Sequence, residues 1–136
     1  MSRYLLVLSV GLYAACLPLD PFSVQGHPSG WPSWSILLIG WLPLAAANLA
    51  WLANPLLLTA WYSIFTQGGK QAKSLSLLSL IAAGSFLLMR TVVNNEGGIP
   101  VPITGYNSGY WLWLTSIGVA LLAAFVTKPA TTVQAA

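Results

Sequence analysis

The chain has 136 residues, 57% of them hydrophobic and 5% charged, with a formal net charge of +3. A soluble domain carries about 25% charged residues, so this chain lacks the charge to clothe a water-facing surface, and five Lys and Arg are too few for a nucleic-acid face. The single cysteine excludes an internal disulfide, and a lone His27 with a lone Cys16 cannot supply a zinc ligand set.

What remains is an all-α polytopic membrane protein: one transmembrane domain over 1–128 and a short disordered cytoplasmic tail over 129–136. A spanning helix needs roughly 20 mostly apolar residues, and four segments approach that. The first runs from Tyr4 to Leu19, closed by Pro18 and Asp20. It reads as a retained helix whose Arg3 and Tyr4 reach the headgroups. The rival reading is a signal peptide, with Ala14-Ala15-Cys16 as a lipoprotein-type cleavage site and Cys16 lipidated. Residues Asp20 to Pro32 read as a loop, rich in Pro and Gly.

Trp34 to Phe65 is too long for one straight span and contains Pro43, Asn48 and Asn54-Pro55. The preferred division is a short interfacial helix from Ser33 to Leu42, a break at Pro43, and a second span from Leu44 to Thr66 kinked at Pro55. The alternative is one long, tilted, twice-kinked helix. A third span runs from Ser74 to Val93 and a fourth from Gly109 to Thr127, stopped by Lys128-Pro129. The Pro- and Gly-rich connection between them, with Tyr106, Tyr110, Trp111 and Trp113 at the membrane–water boundary, reads as an ordered outer cap.

With four spans, Arg3, Lys70, Lys73 and Lys128 fall on one side, and Asp20, His27 and Glu96 on the other, with Arg90 the single exception. The excess of Lys and Arg marks the cytoplasmic side, so both termini are expected in the cytoplasm. Small residues at helical spacing carry packing in lipid. Ala72, Ser76, Ser79 and Ala83 form such a stripe on the third span, and Ser116, Ala120 and Ala124 on the fourth.

Few residues suggest chemistry. Arg90 lies near the outer end of the third span, where it can snorkel, pair with Glu96 or meet a partner. Asn48 and Asn54 are intramembrane polar groups needing partners. Asn54, preceding Pro55, is placed to bond a carbonyl that the proline leaves open. Asp20, His27 and Glu96 are the only ordinary acid–base groups on the outer side, and their spacing matches no catalytic or metal site. No cofactor is implied.

Two stretches, Ala50-Trp51-Leu52-Ala53-Asn54-Pro55-Leu56 and Gly109-Tyr110-Trp111-Leu112-Trp113-Leu114 with Ser116, are similar to a loose group of small bacterial multi-pass membrane proteins. Those proteins carry a WLANP helix and a GYxLWLxS helix start. The resemblance spans Trp41 to the last helix and implies the bacterial cytoplasmic (inner) membrane. It brings no activity, substrate or cofactor. The functional expectation is a non-catalytic interaction or accessory protein, of which an immunity protein is one type, with the lipid bilayer and a protein partner or second copy as its contacts. A small oligomeric transporter or channel subunit is the alternative.

Overall fold

A computed structural model describes residues 1–42, 49–66, 69–93 and 95–127. Asn48, Pro43, Lys128 and the 129–136 tail lie outside the described residues. Five helices dominate: α1 (Ser2–Cys16), α2 (Ser33–Ile39), α3 (Ala53–Phe65), α4 (Gly69–Ser85) and α5 (Ser108–Val126). A 3-10 turn at Leu49–Leu52 leads into α3, and another at Phe86–Leu88 ends α4.

The all-α expectation is corrected by a four-stranded antiparallel sheet of order β2-β1-β4-β3. Its strands are β1 (Phe22–Val24), β2 (His27–Pro28), β3 (Thr91–Val93) and β4 (Pro100–Tyr106). The segments read as loop and cap therefore pair with each other across the molecule. Gln25 (φ 51) and Gly26 (φ 80) both take positive φ, which is how a two-residue hairpin matches the strand twist between β1 and β2. In β4, Ile103 donates its N–H to Arg90 O, toward β3 (2.9 Å). By alternation Pro100 and Pro102 lack their N–H on the opposite side, beyond the reach of the three-residue β1.

Thr91-Val92-Val93, read as the end of the third span, is strand because three consecutive β-branched residues favour the pleated backbone. The third helix correspondingly begins earlier, at Gly69, and closes its regular turns at Ser85. Pro55 does not kink a helix. It is the third residue of α3, in the first turn, where the missing donor costs no helical hydrogen bond. The expected short helix from Ser33 to Leu42 is α2, which ends at Ile39 and is a separate element from α3.

Helices α1, α3, α4 and α5 pack as one bundle. Lys73 Nζ lies 5.1 Å from the Phe125 ring centroid at one end. Tyr110 donates to Ala83 O (3.1 Å) near the other. The start of α4 thus lies beside the end of α5, and the sheet caps the end holding the C-terminus of α1 and the N-terminus of α5. The expected stripes Ala72, Ser76, Ser79, Ala83 and Ser116, Ala120, Ala124 are all fully buried. Their small size lets the backbones approach. Ser9 ties three helices together, donating to Ser116 O (2.7 Å) and accepting from Trp61 Nε1 (2.9 Å). Leu58, Tyr62, Phe65, Leu78, Ile81, Leu122 and Phe125 instead point outward.

Among the described residues two helices, Gly69–Leu88 and Ser108–Val126, are long and apolar enough to cross a membrane; Ser2–Cys16 and Leu49–Phe65 are shorter apolar helices. The ends of α1 and α2 are sewn together. Ser33 N–H donates to Leu19 O (2.9 Å) and Trp34 N–H to Leu17 O (3.0 Å), giving partners to carbonyls just beyond α1. Gly109 permits a close crossing at the start of α5, since a Cβ there would lie 2.8 Å from Asp20 O.

Candidate functional site

Beneath the sheet a cavity of about 490 Å³ opens between the end of α1, α2, the turn before α3, the start of α5 and the β3–β4 connection. Asn54 organises its inner end. Being one residue before Pro55, it sits beside the Trp51 carbonyl, which the proline cannot occupy, and donates Nδ2 to it (3.2 Å). Its Oδ1 then accepts from Tyr13 OH on α1 (3.1 Å) and Trp113 Nε1 on α5 (3.0 Å). One amide thus links three helices, and each polar group is satisfied where an unpaired one would be costly.

Aromatic rings form the wall toward the sheet. Phe86 packs 5.6 Å from Phe22, 5.8 Å from Tyr106 and 5.7 Å from Tyr110 between centroids. Tyr106 and Tyr110 lie 5.1 Å apart, and Tyr110 lies 5.9 Å from Trp113. Tyr106 OH donates to Phe86 O (3.1 Å), tying β4 to the end of α4. Burial pushes the Tyr106 phenol above its ordinary range.

The sequence candidates divide among several environments. Tyr110, Trp113 and Asn54 line the cavity, as does Glu96 at its mouth. Tyr106 stands behind the wall. Trp111 is half exposed on the outer face of α5, its ring 5.3 Å from that of Tyr110. Arg90 is not in a helix: it immediately precedes β3, exposed, with its carbonyl taken by Ile103. Among the described residues no ion pair joins Arg90 to Glu96, which is also exposed, so of the alternatives open to Arg90 the direct pairing is not the one formed. Glu96 belongs instead to the turn after β3, where Asn95 Oδ1 accepts from Ile99 N–H (3.1 Å) and shapes the connection.

Tyr13 and Phe22 also line the cavity and were not singled out from sequence; so do Cys16, read there only as the lipidation point of the signal-peptide alternative, and Trp51, read there only as part of the WLANP stretch. Tyr13 and Cys16 share a face with Ser9 at steps of four and three, and all three are buried. That polar periodicity within an apolar segment was the available signal. Chemically the arrangement offers shape, apolar surface and one carboxylate. Among the described residues no group of three or more His, Cys, Asp or Glu side chains comes together. Comparison with protein-family models, with curated proteins and with solved structures yields no match to this chain.

Proposed function

We propose that this is a small integral protein of the bacterial cytoplasmic membrane that acts by binding rather than by catalysis, as an interaction or accessory protein. In this reading α1, α3, α4 and α5 are four membrane-embedded passes, both chain ends are cytoplasmic, and the sheet caps the outer side. The observation that carries it is the inverted distribution of side-chain size. Ala, Ser and Gly fill the helix contacts, while Leu, Ile, Phe and Tyr cover the outside of the same helices. Water would not tolerate so continuous an apolar exterior, whereas lipid rewards it and leaves close packing to small residues.

The placement of charge supports the orientation. Arg3, Lys70 and Lys73 lie toward the end opposite the sheet; Asp20, His27 and Glu96 lie on the connections that build the sheet end, where Arg90 is the one basic exception among the described residues. The 15-residue α1 rises about 22 Å, short of a hydrocarbon core of about 30 Å. Arg3 and Tyr4 at its start extend that reach, and local thinning accommodates the remainder. The extensive packing of α1 on α5 supports its retention as part of the bundle. The binding role draws on the cavity and the aromatic wall, which present a built, ordered surface without acid–base machinery.

Two measurements test the reading. With Cys16 replaced by Ser, single cysteines at positions 97 and 70 are expected to label from opposite faces of intact vesicles, with 97 outside. Labelling of both from one face refutes the topology. Purification from native membranes in mild detergent is then expected to retain a partner in fixed stoichiometry. A homo-oligomer with ion or solute flux would move the assignment to a transporter.

A further inference from the structure

The cavity has a chemical polarity that specifies what it would hold. Most polar side chains on its inner wall spend a hydrogen within the protein. Tyr13 and Trp113 donate to Asn54, Tyr110 to Ala83 O, Trp51 Nε1 to Leu37 O (3.0 Å) and Ser33 to Leu19 O (2.8 Å). A guest entering this region meets mainly aromatic and aliphatic surface. The mouth differs: among the described residues lining the cavity Glu96 supplies the only charged side chain, and it is an acceptor. Ile39 and Leu42, also lining residues, are exposed and continue the cavity onto the apolar exterior.

Volume narrows the class further. About 490 Å³ lies within the range of small-molecule sites, about 300–1,000 Å³. A single hydrocarbon chain or compact ring system fits, and a two-chain phospholipid does not. We infer that this cavity binds a single-chain amphiphile with a cationic amine or ammonium head, its hydrocarbon among Tyr13, Phe22, Trp51 and Trp113 and its head at Glu96. The inference deepens the proposed binding role. It needs the membrane only as the route of entry, through the side bounded by Ile39 and Leu42.

The test uses the full chain in phosphatidylcholine nanodiscs and two chain-brominated probes of equal chain length, an alkyltrimethylammonium and an alkyl sulfate. Trp51 and Trp113 line the cavity, so a bound brominated chain quenches their fluorescence. Saturable quenching by the cationic probe is expected, with weaker binding of the anionic one. Val92→Phe, which fills space at the cavity wall, is expected to remove the saturable component. Glu96→Gln is expected to weaken the cationic probe about two- to fivefold, the scale of a solvent-exposed ion pair, and to leave the anionic probe no weaker. Quenching that is linear in probe and equal in both variants overturns the inference, as does equal affinity for the two probes. If Val92→Phe does not fold, the exposed Glu96→Gln variant and the probe comparison decide alone. Should the chain partition into the soluble fraction, the membrane reading fails. The same titration in buffer then judges the cavity separately.

Discussion

At the residue scale, two serines on one helix make opposite predictions. Ser79 and Ser76 are both fully buried on α4, three positions apart. Ser79 donates to Ala53 O across the α3 contact (2.8 Å), whereas Ser76 Oγ has no hydrogen-bond partner among the described residues. Ser79→Ala removes a bond and orphans no donor, so a loss of about 0.5–1.5 kcal/mol is expected. Ser76→Ala removes an uncompensated polar group and is expected to be neutral or stabilising. Thermal unfolding in one detergent compares them, and equal losses would contradict the hydrogen-bond assignment. Tyr106 gives a pH prediction. Its folded-state pKa lies above the ordinary value, so the unfolded chain loses the proton first. Stability is therefore full below about pH 10 and falls as pH rises from there toward the folded pKa. Tyr106→Phe is expected to lower stability at neutral pH and to flatten that alkaline decline. An unchanged alkaline slope would exclude Tyr106 as its source. The Asn54 contact with Trp51 O was legible in the sequence because Asn-Pro is a local signal. Tyr13, its partner 41 positions away, was not, since nothing local aligns α1 with α3.

At the element scale, the helices were legible where period and size agreed. Steps of four and three between small residues place Ala72, Ser76, Ser79 and Ala83 on one face, and that face is buried. Ala120 on α5 is likewise fully buried, while Leu122, two positions on, is 58% exposed. Ala120→Leu is expected to cost about 1–3 kcal/mol or more by forcing helices apart. Leu122→Ala, which removes only outward surface, is expected to change the folded state little. Equal effects in detergent unfolding would show that α5 is rotated from the orientation described. Strands were less legible. In β4 the exposed and half-buried residues alternate from Pro100 to Ile103, but Pro100, Pro102 and Gly105 mask this with the signature of a turn. Strand β3 was hidden differently: Thr91-Val92-Val93 continues the apolarity of α4, and hydropathy cannot tell a β-branched strand from a last helical turn.

At the scale of the whole molecule, composition and charge asymmetry carry the membrane reading, while the cavity depends on the sheet being closed. No periodicity foretells that the connection after α1 meets the one before α5. Ser23 Oγ bonds Asn107 Oδ1 (3.1 Å) across 84 positions, and β1 pairs with β4 in the same region. That pairing has a consequence in time. During synthesis at about 5–20 residues per second, β1 emerges roughly 4–17 s before its partner strand is complete. For that interval Phe22–Val24 has only the two-residue β2 beside it, and the pocket has no roof. Chains stopped at Val93 are therefore expected to expose the β1–β2 hairpin to protease, with protection arriving once the chain reaches Asn107. The chamber, whose floor was laid first, closes only when the last connection and the start of α5 that follows it are both in place, so cargo would have its easiest access to the growing protein before then.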